Sequence, residues 1–494
     1  MKKPIGKISR REMLIGSAAA GGLAALGAPA LTFAQASAGG AAAVSPLADL
    51  EARLTGTLIM PGDGAYDDAR KVWNAMIDKR PSAIARCSGV ADVIEVVNYA
   101  RDKNLVVTVR GGGHNVAGKA VRDGAIQIDL GRLQGIRVDP GTKRARAQGG
   151  VRWNAFDRES LAQNLVTTGG TVGDTGIAGL TLGGGIGWLC RKHGLSCDNL
   201  VAADVVTADG RLLAVSESEN TDLFWAIRGG GGNFGIVTSF EYQLHDLEPC
   251  TGGMALYPAS MIKDLLSFYR DFTASAPDSV MTMAGVMVGP PGTPVAGQTV
   301  GMLAVCHSGP ADEGEQLLRP IKEFGTPAVD LIGPTSYGAM QALFGAAGEL
   351  GSRNYWRSSF MKELSDDAID TLVSRSGEIP RPGTLILLEH MGGAISRVGE
   401  GETAFANRGA NYNVSVLGSW LDASEDEKNI AWTRMFGDEL KSFSTGGAYV
   451  NYMADDESAE SVRGAYESNF QRLVAVKRKY DPGNFFSGNQ NIVP

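Results

Sequence analysis

Residues 221–240, TDLFWAIRGGGGNFGIVTSF, decide the fold. Within them Gly230, Gly232 and Gly235 fit the spacing GxGxxG, which a βαβ nucleotide-binding unit places between a strand and a helix. That unit works because the glycines open a helix whose N-terminus faces the phosphates. Here the order is reversed. Thr221 to Ile227 reads as a helix, and Ile236-Val237-Thr238-Ser239-Phe240 is a β-branched run that reads as a strand. A Rossmann arrangement is therefore rejected, and these glycines must allow some other close approach of backbone.

Two more glycine clusters lie upstream. Residues 169–187 read GGTVGDTGIAGLTLGGGIG and run on into Trp188-Leu189-Cys190-Arg191-Lys192-His193-Gly194-Leu195. Residues 110–115 read RGGGHN and follow the short apolar run Leu105 to Val109, a buried strand. Successive glycines let consecutive backbone N–H groups point into one concavity, which suits a pyrophosphate. The chain holds 66 glycines, and their clustering without collagen periodicity points the same way. Around these clusters Val90 to Ala100 has apolar spacing near 3.6 and reads as a helix, with Asp92 in its first turn. Ala125 to Leu130 and Ala145 to Gln148 read as strands. Such segments alternate to about residue 246. From there to about 450 the glycine clusters thin out, and alternating stretches such as Leu385 to Leu388 and Tyr412 to Trp420 predict an antiparallel sheet with helices on one face. The last 40 or so residues return to helix, with Tyr466, Phe470, Leu473 and Val474 on one side, and stop at Tyr480-Asp481-Pro482-Gly483-Asn484.

The bulk properties set bounds. With 494 residues, 44% hydrophobic and 20% charged, the chain is long enough for two domains with their own cores. A net charge of -8 argues against nucleic acid and against an anionic membrane surface, since both would repel it. Cys87, Cys190, Cys197, Cys250 and Cys306 are odd in number and scattered, so they read as core residues, and no metal-ligand spacing stands beside them. The N-terminus has the order of a signal peptide: basic residues, a weakly hydrophobic Ala/Gly/Leu stretch, then the small-x-small site Ala34-Gln35-Ala36. Ser9-Arg10-Arg11 followed by Met13-Leu14 resembles the twin-arginine consensus. Residues 1–36 are expected to be a twin-arginine signal and 37–45 a linker. The twin-arginine export machinery would be a partner, and the mature protein is expected in the periplasm or secreted, with no membrane attachment once the signal is removed. That route carries folded proteins, so it favours an enzyme that loads a cofactor before export.

Taken in order, strand-RGGGHN, the middle cluster through Asp198-Asn199-Leu200, Thr207-Ala208-Asp209-Gly210, FWAIRGGGGNFGIVT and the ending Tyr449-Val450-Asn451-Tyr452 … Tyr480-Asp481-Pro482-Gly483-Asn484-Phe485-Phe486 resemble one family. This is the berberine bridge enzyme-like branch of the vanillyl-alcohol-oxidase type FAD-linked oxidases. The resemblance covers nearly all of the mature chain. It implies an α+β fold with a two-subdomain PCMH-type FAD-binding domain at residues 46–246. A substrate domain of antiparallel sheet flanked by helices is inserted at 247–450, and residues 451–494 return to the FAD domain.

It also implies roles. FAD would be held covalently through His114, and by a single link, because the position where many members carry a flavin-linking cysteine is Val172 here, as in the mono-covalent bacterial members. The implied FAD-holding residues are Arg110, Gly111, Gly112, Gly113, His114 and Asn115 in the first cluster. In the middle cluster they are Gly169, Gly170, Gly173, Asp174, Thr175, Gly176, Gly179, Gly184, Gly187 and Trp188. Asn199, Gly235, Ile236, Val237 and Asn451 complete the set. Thr175 matches a position near the flavin carbon that oxygen attacks, and its small size favours an oxidase with O2 as acceptor. Hydride transfer from an alcohol or amine carbon needs the O–H or N–H proton removed, so a positioned base helps. Asn413 and Ser415 occupy the strand where some members place a carboxylate, and neither is a competent base. Tyr449 and Tyr452 are therefore the better catalytic candidates, with Asn413 beside them and Glu389 or His390 as substitutes. The expected activity is oxidation of a small organic substrate (a sugar, a phenolic alcohol or an alkaloid-like amine) with hydrogen peroxide as product. A dehydrogenase passing electrons to a quinone or carrier, or a flavin-retaining binding protein without turnover, are the alternatives.

Overall fold

The computed structural model describes residues 47–345, 350–380 and 383–494, so the signal and linker expected at 1–45 lie outside the described residues. Among the described residues no helix is long and apolar enough to cross a membrane.

The chain first builds a small sheet in the order Thr57–Ile59, Ala83–Arg86, Ile126–Asp129, Val107–Arg110. The last three strands are parallel to one another. Parallel strands need a crossover, and the helix Val90–Asp102 supplies one. Its Val93, Val96, Val97 and Ala100 recur at helical spacing and pack on Ala83, Ala85, Val107 and Ile128. Asp92, in the first turn, is buried but accepts from the backbone N–H of Thr55, Gly56 and Ser88 at 2.7–3.0 Å. The glycine loop at 111–115 leaves the carboxyl end of the strand Val107–Arg110, where open α/β sheets place their ligands.

Beside it stands an antiparallel sheet in the order Ile136–Asp139, Arg144–Gln148, Ile236–Gln243, Leu200–Val206, Leu212–Ser216. The helix Thr221–Ile227 precedes the third glycine cluster and the strand Ile236–Gln243 follows it, the order opposite to a Rossmann unit. The third and largest sheet has eight strands in residues 250–420 and is wholly antiparallel. Its two faces sort by alternate residues, as strand geometry requires. Val280, Ala284, Val286 and Val288 pack with the helices Ile262–Thr273, Ala311–Glu323, Asp366–Ser376 and Asp426–Leu440. Met281 and Met283 face the other way, into a cluster with Ile186, Trp188, Leu189 and Tyr449. These four helices thus occupy one face, and the other rests on the middle glycine cluster together with the short helix Tyr337–Gln341. Finally, Ala459–Tyr466 and Phe470–Tyr480 return to pack on Trp153, Phe224, Trp225 and Phe234.

Candidate active site

A cavity of about 340 Å³ lies where these parts meet. It is lined by the loop 111–115, the stretch from Gly170 through the helix Ile177–Leu182, and the third cluster from Gly231 to Val237. The tail Gly488-Asn489-Gln490 and the sheet residues Leu385, Leu387 and Leu417 complete it.

Glycine makes the closeness of these walls possible. A Cβ on Gly112 would stand 2.4 Å from the backbone N of Gly176, and one on Gly176 would stand 2.5 Å from the N of Gly112. The two loops therefore cross backbone to backbone at the cavity wall. By contrast, a Cβ on Gly179 would meet nothing within 4 Å, so this helix turns bare backbone toward open space. Buried polar atoms are left without partners here: Thr108 Oγ1 and Asn115 Oδ1 belong to cavity-lining residues and make no hydrogen bond within the protein. A bare-backbone cradle with orphaned polar atoms fits a bulky phosphate-bearing ligand such as FAD.

His114 stands on the cavity wall. Its Nε2 lies 3.0 Å from Asp174 Oδ2 and, since a carboxylate only accepts, this nitrogen carries the proton. Arg152 pairs with the same carboxylate and also donates to the Asp174 carbonyl at 3.0 Å. Burial opposes charge on Asp174, but hydrogen bonds from Arg152 and His114 outweigh it and hold the carboxyl below the usual range. Burial also pushes the His114 imidazole below its ordinary value, against the pull of Asp174. The ring is stacked on Trp73 at 5.6 Å with 16° between planes. The result is a neutral, clamped imidazole with Nδ1 as the nitrogen that Asp174 does not use, the state a nucleophilic histidine needs.

Tyr452 also lines the cavity, linked to His114 through the rings of Trp356 and Trp73, and donates from its hydroxyl to Glu389 Oε1 at 3.3 Å. Asn413 Nδ2 donates to the other carboxylate oxygen at 2.6 Å. The register explains the meeting: Glu389 and Asn413 sit directly opposite one another on neighbouring strands. Burial pushes the Glu389 carboxyl up to about 7, the bonds from Asn413 and Tyr452 only partly offsetting it. Burial and the adjacent Glu389 push the Tyr452 phenol well above its usual value. His390, next along the strand, points to the opposite face, where its Nε2 lies 2.9 Å from Arg191 Nη1 and where burial and that guanidinium lower it to about 3.

The cavity gathers most of the residues expected from sequence. Gly111, Gly112, Gly113, His114, Asn115, Gly170, Thr175, Gly176, Gly179, Gly235, Ile236, Val237, Asn451 and Tyr452 all line it, and so does Val172. The remainder lie behind it. Tyr449 is fully buried and its oxygen accepts from the N–H of Gly185 at 3.0 Å and from Asn451 Nδ2 at 2.8 Å, so it pins the middle glycine loop. Asn413 is fully buried too and acts only through Glu389. Arg110 turns away to the Ala69 carbonyl, into a separate surface pocket with Arg86 and Arg132. Trp188 donates to the Met340 carbonyl at 3.0 Å and backs the cavity residue Phe344 by stacking at 5.8 Å. Asn199 holds the carbonyls of His193 and Leu195. Gly169 and Gly187 pass so closely that a Cβ on Gly187 would stand 1.7 Å from the Gly169 oxygen. Gly184, at φ +124°, gives Phe405 room, and Gly173 accepts from Asn154 N at 2.7 Å. Asp174 serves through His114. Several cavity residues carry no sequence signal of their own: Trp73, Trp356, Asn233 and the tail Gly488–Gln490.

Glycine loops that cradle a large ligand, with a neutral clamped histidine and a tyrosine–carboxyl pair on the same cavity, together define a flavoprotein oxidoreductase. Known proteins agree. Residues 81–216 match the FAD binding domain family and residues 448–493 match the berberine and berberine-like family. The chain is 32% identical to the (R)-6-hydroxynicotine oxidase of Paenarthrobacter nicotinovorans over 458 residues, covering 89% of this chain and 97% of that protein. The crystal structure of 6-hydroxy-D-nicotine oxidase from Arthrobacter nicotinovorans superposes with a TM-score of 0.81 at 30% identity, covering 89% of this chain and 98% of the other. The glucooligosaccharide oxidase of Acremonium strictum, whose FAD carries cysteinyl and histidyl links, gives 0.80 at 26% identity, covering 90% and 98%. The chain belongs to the berberine bridge enzyme-like FAD-linked oxidoreductases.

Proposed function

We propose that this chain is an exported oxidase that holds FAD through a single covalent bond from His114 and oxidises a small alcohol or amine, with O2 as acceptor and H2O2 as product. The observation that carries this reading is the joining of His114 and the Tyr452–Glu389 pair by one cavity. FAD, when bound, supplies a two-electron acceptor that oxygen can reoxidise. The chain's own residues supply the rest. His114 offers Nδ1 for attachment because Asp174 occupies Nε2. Val172 stands at the cavity where a cysteine would give a second link, so one bond is expected. Thr175, also on the wall, is small and leaves access for oxygen.

The proton has a path. A substrate hydroxyl hydrogen-bonded to the Tyr452 oxygen gives up its proton there while Tyr452 passes its own to Glu389 Oε1. No free phenolate is needed, so the raised pKa of Tyr452 is no obstacle. Asn413 keeps the carboxylate oriented. Per turnover the alcohol loses a hydride from carbon and a proton from oxygen, and O2 gains both electrons and two protons. Export through the twin-arginine route is part of the same reading, supported by Ser9-Arg10-Arg11 and Met13-Leu14.

Acid precipitation of the holoprotein tests the attachment. Yellow colour should stay in the wild-type pellet and leave with the supernatant for His114→Ala. Colour lost from both would overturn the histidyl bond, and failure to retain any flavin would overturn the oxidase reading.

A further inference from the structure

The inserted sheet supplies the cavity wall that the cofactor loops do not. Register places Leu385 opposite Leu417 and Leu417 opposite Trp356, one apolar row across three strands. Leu387 follows two residues on, and Met283 lies across from Glu389 on the next strand. The polar members of the same face, Glu389, Asn413 and Ser415, are buried and do not line the cavity, with Tyr452 bonded to Glu389. What the sheet presents is therefore Met283, Leu385, Leu387, Leu417 and Trp356, with Phe344 added from beside Trp188. Trp356 meets the Tyr452 ring edge-on at 5.3 Å, and meets Trp73 likewise at 5.3 Å, so the aromatic side of the slot is rigid. Among the described residues of this wall there is no charged side chain.

Such a wall discriminates by what it cannot satisfy. Each sugar hydroxyl buried here without a partner would lose roughly ten- to hundred-fold in affinity. An ammonium would find no carboxylate on the wall to pair with, since Glu389 is behind Tyr452. A flat ring, by contrast, fills the slot between leucines and tryptophan at no polar loss. The geometry points to a neutral aromatic alcohol as substrate, its ring against Leu387, Leu417 and Trp356 and its carbinol at the Tyr452 hydroxyl. This rests on the oxidase reading above and narrows it. The balance is that of a two-electron alcohol oxidation: R–CH2OH and O2 become R–CHO and H2O2, the hydroxyl proton leaving by way of Tyr452.

The test uses the holoenzyme under nitrogen with two probes, 4-methoxybenzyl alcohol and cellobiose, reading flavin bleaching and, separately, binding from the shift of the flavin spectrum. The aryl alcohol should bind and bleach, with cellobiose at least about 100-fold weaker. Cellobiose bleaching while the aryl alcohol stays inert would overturn the substrate class and leave the oxidase reading standing. Aryl alcohol that binds without bleaching would uphold the slot and overturn the oxidase reading instead. Absence of binding by the aryl alcohol would overturn the inference. Leu387→Asn and Leu417→Asn should each weaken aryl alcohol binding about tenfold, whereas Leu417→Met retains it. Unchanged affinity in both asparagine variants, with flavin content normal, would overturn the slot as drawn. Should either asparagine variant fail to fold, Leu387→Met and Leu417→Met still report, since aryl alcohol must then bind within a few-fold of wild type.

Discussion

Burial raises Glu389 from a usual 4.5 to about 7, and the proton path requires it ionised at the moment Tyr452 gives up its hydrogen. The sign follows from those two facts. Below about pH 7 the carboxyl is protonated and cannot accept, so kcat/KM for an alcohol should rise with pH through a pKa near 7 and then level off. Glu389→Gln keeps the bond from Tyr452 but cannot take a proton, so that limb should vanish and the rate fall by about 10²–10⁴. A profile unchanged in the variant would remove Glu389 from the proton path. The glycine-flanked His114 was legible in the sequence, because its loop and its neighbours advertise a cofactor site. The pairing of Tyr452 with Glu389 was not. The two are 63 residues apart, and Tyr452 reaches Glu389 from the turn Val450–Tyr452, outside any strand, so no strand pattern reveals the contact. Asn413 stood out for the same strand position and was read as a participant, whereas its amide serves as the anchor of that carboxylate.

Glycines in this chain do two different jobs, and the elements that hold them separate the two. In the helix Ile177–Leu182, Gly179 faces open cavity, and alanine favours a helix by about 1 kcal/mol over glycine. Gly179→Ala should therefore leave the melting temperature of the apoprotein unchanged or raised while lowering its flavin content, because the new methyl intrudes on the cradle. Gly187→Ala drives a methyl against the Gly169 carbonyl and should leave little folded protein at all. Equal behaviour of the two variants in a thermal melt with flavin titration would refute this division. The C-terminal helix Phe470–Tyr480 poses a second case. Lys477 and Asp481 are fully buried and bonded to each other at 2.7 Å. Lys477 also donates to the carbonyls of Asn233 and Phe486, and Asp481 accepts from the N–H of Phe485 and Phe486. This clamp aims the tail Gly488–Gln490 at the cavity. Breaking one side, as in Lys477→Met, should cost about 3–5 kcal/mol by stranding the aspartate and should show as earlier urea unfolding and loss of bound flavin. The helix and its stop at Pro482-Gly483 were readable from periodicity, but the clamp was not, since an i,i+4 Lys–Asp pair usually marks a solvent face.

At the scale of the whole molecule, the sheet on either side of the seam followed from its sequence pattern: alternation for the inserted sheet, and a strand before the first glycine cluster with helix–glycine–strand order at the third for the cofactor half. The seam itself is made by contacts between distant segments. Asp157, on the helix Trp153–Leu161 of the cofactor half, is buried and accepts from Gln341 Nε2 at 2.8 Å, a residue 184 positions away on the helix Tyr337–Gln341. The same Gln341 amide reaches the Gly170 carbonyl at 3.2 Å, so one side chain joins the inserted half to a cavity loop. Burial pushes Asp157 from 3.8 up to about 7, with the single bond from Gln341 lowering it only in part. A carboxyl raised on folding holds its proton longer in the folded state. Its stabilising effect is therefore complete below the unfolded pKa near 4 and is lost as pH rises toward 7. Above pH 7 the seam encloses a carboxylate with one donor, which weakens the docking of the two halves. Asparagine keeps an oxygen for Gln341 without the charge. Asp157→Asn should thus match wild type in thermal stability near pH 4 and exceed it by several degrees near pH 8. Glu389 titrates in both proteins over the same window, so its contribution drops out of the difference. A variant that is less stable at pH 8, or equally stable at both pH values, would mean that Asp157 meets solvent or further donors in solution and that the halves dock without it.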